Sequence, residues 1–180
     1  MVSTPTKAVN LKSAQPQSAA PATQRAILQG IRWQTYQALL NDLGDHRAAR
    51  LTYTQGILEI AMPSKLHEIV NRLMARIVTT LTEELELEIV DAGSTTLDRE
   101  DLQHGAEPDT CFYIQNAARL QGLDPDIPDD LPPDLVLEID ITSSSTQRLK
   151  TYQKLGVPEV WQYTQKQGVA IHQRRGESPE

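Results

Sequence analysis

This chain of 180 residues has one cysteine, no apolar run long enough to cross a membrane, and no excess of positive charge. The lone Cys111 excludes an internal disulfide. Its setting in Thr110-Cys111-Phe112-Tyr113-Ile114 suggests a strand residue rather than a reactive thiol, and a reducing compartment is expected. Without a membrane-length segment, and without the apolar stretch of a secretory signal at the N-terminus, the reading is a cytoplasmic protein with no membrane partner. The formal net charge of -7 argues against a protein that grips a long duplex through many phosphates, because such proteins present a basic face. A small cleft can still take nucleic acid through metal ions and a few cations. The sequence also lacks a Gly-rich phosphate loop, a nucleophile elbow, a dinucleotide fingerprint and any internal repeat. His46, His104 and His172 are scattered, with no spacing that would form a zinc site.

The length suits one domain with a substantial core. Residues 1–24 are rich in Ser, Thr, Ala, Gln and Pro, and no acidic residue precedes Asp42. They read as a disordered tail, followed by a domain over 25–175 and a short tail at 176–180. The first ordered element is expected to be a helix from Trp33 to Leu43, stopped by Gly44, with Trp33 and Tyr36 serving core or interface. Arg50–Tyr53 and Ile57–Ala61 predict a hairpin turning through Thr54-Gln55-Gly56. Pro63-Ser64 opens a long helix to about Leu85. There Leu66, Ile69, Val70, Leu73, Ile77, Val78 and Leu81 recur at three and four residues, predicting a continuous buried stripe.

Glu86–Ala92, Ser94–Leu97 and Pro108–Ile114 suggest further strands, with Asp98-Arg99-Glu100-Asp101 as a polar turn. The prolines and aspartates between Gln121 and Asp134 exclude regular structure. Leu135–Ile141 is apolar enough for a central strand, and Thr142-Ser143-Ser144-Ser145 is a helix-start sequence for a helix over Thr146–Leu155. Val160–Tyr163 and Val169–His172 close a last hairpin. This order indicates an α/β domain with a mixed sheet flanked by helices, with an extra N-terminal helix and hairpins.

Two acidic stations stand out on strand-like segments: Glu107-Pro108-Asp109 and Glu138-Ile139-Asp140. A rigid apolar strand can hold Asp109 and Glu138 as oxygen ligands for a hard divalent cation, with phosphate and water completing the shell. Further on stands Arg148-Leu149-Lys150-Thr151-Tyr152-Gln153-Lys154-Leu155-Gly156-Val157-Pro158-Glu159-Val160-Trp161. With Leu51–Met62, Pro63-Ser64, His67 and the two stations, it makes the chain from about Trp33 to His172 resemble the Uma family. That is a bacterial restriction-endonuclease-like family in the PD-(D/E)XK nuclease superfamily.

The resemblance implies a restriction-endonuclease-like fold and Mg2+, with Mn2+ as a substitute, held by Asp109, Glu138 and the carbonyl of Ile139. It implies DNA as substrate and a homodimer. Asp140 occupies the position where the superfamily pattern commonly carries lysine, so the missing cation must come from elsewhere. The following helix offers Arg148, Lys150 or Lys154, with Arg148 first and Lys154 second. Glu59 and His67 match family positions near the metal. Two readings follow: a Mg2+-dependent DNA endonuclease, or a catalytically weakened relative acting as a homodimeric binding or interaction module.

Overall fold

The computed structural model describes residues 24–44, 48–120, 122, 127–128, 130–141 and 146–174. The expected tails lie outside them, save Gln24, as do the helix-start sequence 142–145, His46 and much of the loop before Asp134. Among the described residues, ten strands form two five-stranded sheets, joined by three α-helices.

The first sheet has the order β1-β3-β2-β6-β5 and is antiparallel throughout. Its strands are β1 (Gln24–Gln29), β2 (Arg50–Thr54), β3 (Ile57–Met62), β5 (Leu97–Arg99) and β6 (His104–Ala106). The β2–β3 hairpin turns on Gln55 and Gly56, both at positive φ (45° and 88°), the turn whose twist matches the paired strands. Helix α1 (Trp33–Leu43) ends where Gly44 adopts φ 65° and returns its N–H to Leu40. Trp33, Tyr36 and Tyr53 lock α1 onto this sheet, their ring centroids 5.1–5.3 Å apart. Trp33 is therefore a core residue. Gly105 lies directly beneath Tyr36, and a Cβ there would overlap the tyrosine hydroxyl and the Asp98 carboxylate.

The second sheet has the order β10-β9-β8-β7-β4. It comprises β4 (Val90–Gly93), β7 (Thr110–Tyr113), β8 (Leu135–Asp140), β9 (Glu159–Thr164) and β10 (Gly168–Gln173). Only β8–β9 is parallel, which makes the sheet mixed, as expected. Every residue of β8 is buried because both faces are covered. Leu137 and Ile139 meet Met74 and Val78 of α2 (Lys65–Glu84). Val136, on the opposite face, meets Tyr152 of α3 (Thr146–Lys154) together with Leu155. Helix α3 also touches the first sheet, where the hydroxyls of Thr54 and Thr151 lie 2.8 Å apart.

Three expectations need correction. A strand, β1, precedes the first helix and pairs along β3. The polar turn at Asp98–Asp101 is instead the end of β5 and a short 3-10 turn leading to β6, because Asp98 accepts from Tyr36 and Gln37 and so turns inward. Third, the apolar stripe of α2 is not continuously buried. The inward face carries His67, Asn71, Met74, Val78 and Thr82, while Ile69, Leu73, Ile77 and Leu81 are exposed. The helix turns its polar residues toward β7 and β8 because Asp109 lies there and takes hydrogen bonds from two of them.

Candidate active site

The pairing of β7 with β8 sets Thr110 opposite Leu137, so the same register continued by one residue brings Asp109 opposite Glu138. Both carboxylates are buried, Glu138 completely. Asp109 uses Oδ2 twice: it accepts the backbone N–H of Ile139 at 2.8 Å and lies 3.0 Å from Nε2 of His67. Because a carboxylate only accepts, that contact favours the His67 tautomer with hydrogen on Nε2. Ser64 caps α2 by accepting the His67 N–H, fixing the helix start and with it the imidazole. Asn71, one turn further, donates to the Asp109 carbonyl and accepts from Thr110. Oδ1 of Asp109 is buried with no hydrogen-bond partner among the described residues.

On the α3 side, Glu138 accepts the Tyr152 hydroxyl on Oε1 at 2.5 Å. Its Oε2 lies 2.9 Å from the Arg148 guanidinium but outside hydrogen-bond alignment, so the contact is coulombic and Oε2 has no hydrogen-bond partner. The same guanidinium nitrogen is 3.5 Å from Oδ1 of Asp140, while Oδ2 of Asp140 accepts from Gln162 at 2.7 Å. Gln162 in turn lies 3.0 Å from His172. Arg148 is thus a buried cation between two strand carboxylates, on α3 facing β8.

Burial sets the protonation of this cluster. It pushes the Glu138 carboxyl up to about 8; the Arg148 charge opposes the rise and the Asp109 charge adds to it. Burial also works against the Arg148 charge, but Glu138 and Asp109 outweigh it and hold the guanidinium above its ordinary range. Burial and the Glu138 charge raise the Tyr152 hydroxyl well above its ordinary value, which keeps it a donor.

The remaining residues singled out in the sequence divide. Glu59 is buried on β3, pairs with Arg25 of β1 at 2.5 Å, and is close enough to add to the field at Arg148. Glu107 braces the sheets, its carboxylate accepting the Leu51 N–H at 2.6 Å. Lys154 and Lys150 are exposed, and Lys154 lines a surface groove with Gln153, Gln173 and Arg174. The structure therefore separates Lys154 from the carboxylates, because Tyr152 and Arg148 occupy the face of α3 turned toward β8. Cys111 is a buried β7 residue whose thiol burial pushes up to about 12.

Sequence reasoning missed Tyr152, Asn71 and Gln162 as partners of the carboxylates. For Tyr152 a signal existed, since it stands one helical turn after Arg148 and shares its face. Asn71 is likewise one turn after His67. Gln162 had none, because only the parallel β8–β9 register places it beside the second acidic station.

Among the described residues, no three His, Cys, Asp or Glu side chains gather as a metal-binding set. Among the described residues, Oδ1 of Asp109 and Oε2 of Glu138 are buried carboxylate oxygens of the cluster that lack a hydrogen-bond partner, the second facing the Arg148 guanidinium at 2.9 Å. No curated protein matches the chain. Among solved structures it is similar to a "putative nuclease belonging to DUF820" from Anabaena variabilis, at 17% identity and a TM-score of 0.54. The match covers 72% of this chain and 74% of that one. That likeness identifies the fold as restriction-endonuclease-like. Residues 33–179 match the family Uma2, described as "Putative restriction endonuclease", and the chain belongs to that family.

Proposed function

We propose that this protein is a Mg2+-dependent endonuclease that hydrolyses DNA phosphodiester bonds, with Mn2+ able to replace Mg2+. One observation carries the reading: two buried carboxylates, brought opposite each other by strand register, each keep one oxygen without a hydrogen-bond partner. Buried polar atoms are rarely left so, and an ion is one of the standard reasons. The donor set is all oxygen, which suits a hard divalent cation. Members of restriction-endonuclease-like families generally use a divalent metal.

Asp109 and Glu138 would hold the cation, Asp109 through Oδ1 and Glu138 through Oε2, which the ion would share with the Arg148 guanidinium 2.9 Å away. The N–H of Ile139 points at Asp109, and in a strand the carbonyl of the same residue faces the same side, so the Ile139 carbonyl is a third donor. When bound, the metal supplies Lewis-acid polarisation of the phosphoryl oxygen and an acidified water. The chain's own residues do the rest. His67 and the Ile139 N–H fix one oxygen of Asp109, and Tyr152 fixes one oxygen of Glu138. Arg148 supplies the fixed positive charge that the superfamily pattern places on lysine, and Asp140 with Gln162 holds the anionic side of that arrangement. Glu59 adds a further carboxylate to the field at Arg148.

Calorimetric titration with Mn2+ tests the metal assignment. One bound ion in the unaltered protein and none in Glu138→Ala is expected; equal binding in both would remove the assignment.

A second reading, a homodimeric interaction module, draws on the exposed apolar flank of α2, where Ile69, Leu73 and Ile77 face outward, and on the net charge of -7. Sedimentation giving a strictly monomeric mass would remove it. No helix among the described residues is long and apolar enough to cross a membrane.

A further inference from the structure

The geometry points to a phosphate-binding subsite on the α2 side of Asp109, in which Arg50 and Arg72 take a phosphodiester group of the nucleic acid. It rests on the nuclease reading and says where the substrate enters. A cavity of about 240 Å3 opens between β2, α2 and the end of β4, and Asp109 lines it, so it leads to the carboxylate cluster from outside. Arg50 and Arg72 line the same cavity from β2 and α2. The Nε of Arg50 is buried without a hydrogen-bond partner, and neither arginine has a carboxylate within ion-pair distance among the described residues. An arginine in this state, with its fork of donors unspent beside a cavity, is suited to bidentate recognition of phosphate. Asn71 and Thr110, also in the wall, are already committed to each other and to Asp109, so they shape the cavity rather than bind.

The charges in the wall make this subsite depend on the metal. Two guanidinium groups face three carboxylates there, Glu68, Asp91 and Asp109. The empty cavity is therefore slightly anionic and disfavours phosphate. A divalent cation held by Asp109 would reverse the balance, and Arg50 and Arg72 would then meet a phosphodiester without that net repulsion. Nucleic-acid binding at Arg50 and Arg72 would therefore depend on prior metal binding.

The test is fluorescence anisotropy of a labelled DNA duplex with the full chain, in EDTA and in Ca2+, for the unaltered protein, Arg50→Ala, Arg72→Ala and Arg76→Ala. Arg76 is an exposed residue of the same helix that does not line the cavity, so it controls for loss of one positive charge. Thermal melting reports whether each variant is folded; Arg72, exposed on α2, tests the subsite should Arg50→Ala fail to fold. Binding in Ca2+ but not in EDTA is expected, weakened about tenfold or more by Arg50→Ala and Arg72→Ala and little by Arg76→Ala. Equal affinity in all four proteins, or a loss in Arg76→Ala as large as in Arg72→Ala, would overturn the subsite while leaving the nuclease reading in place. Failure of the unaltered protein to bind in Ca2+, Mg2+ or Mn2+, with no cutting, would remove the nuclease reading and the subsite with it.

Discussion

Tyr152 of α3 donates its hydroxyl to Oε1 of Glu138 across a fully buried 2.5 Å contact, while Oε2 of the same carboxylate faces the Arg148 guanidinium at 2.9 Å. Partners of this kind orient a metal-binding group and commonly change affinity tenfold or more when removed. Tyr152→Phe keeps the ring in the core but loses the donor. We expect it to remain folded and to bind Mn2+ about tenfold or more weakly by calorimetry; unchanged affinity would show that the hydroxyl does not position the carboxylate.

The raised pKa of Glu138 gives a pH dependence of defined sign. An exposed glutamate loses its proton near 4.5, whereas this one holds it to about 8. Between these values the folded state carries the extra proton, so this group's contribution to stability is greatest below about 4.5 and declines as pH rises toward 8. Denaturant titrations of Glu138→Gln should lack that part of the decline. Metal must displace the same proton, so Mn2+ affinity should rise with pH and level off above about 8.

Arg148 is held between Glu138 and Asp140 in the interior. Removing it takes from Glu138 and Asp140 the buried cation they share, a loss of about 3–5 kcal/mol. Urea unfolding of Arg148→Ala should show that loss. Arg148→Lys should recover part of it, because the charge returns without the planar fork.

The two flanks of α2 should respond differently to truncation. Met74 is buried against β7 and β8, and Met74→Ala should cost about 2–5 kcal/mol. Leu73 and Ile77 are exposed, so Leu73→Ser or Ile77→Ser should change monomer stability by about 0.5 kcal/mol or less. Denaturation at low protein concentration measures both.

Much of this was legible in the sequence because local signals were strong. Trp33–Leu43 with Gly44, the Gln55-Gly56 hairpin, Ser64 as a cap and the apolar run at Leu135 are short-range features, and each became the element it suggests. The burial of α2 was not legible. Periodicity counts apolar residues on a helix, but which arc turns inward depends on what the neighbouring strands present, and here they present Asp109 to His67 and Asn71. Strand β1 was lost beside a low-complexity segment, since its pairing with β3 is a tertiary contact with little apolar patterning of its own. Within the site, Asp109, Glu138, Asp140, Arg148, Glu59 and His67 come together from five elements or their margins. Lys154 does not, because helical phase places it on the outer face while Arg148 and Tyr152 take the inner one.

The most direct test is cleavage of supercoiled plasmid by the unaltered protein, Asp109→Asn and Glu138→Ala, each with Mg2+ and with a chelator. The account predicts nicking or linearisation by the unaltered protein in Mg2+ alone, abolished in both variants. No cutting by the unaltered protein in Mg2+ or Mn2+, or cutting that persists in Glu138→Ala, would contradict it.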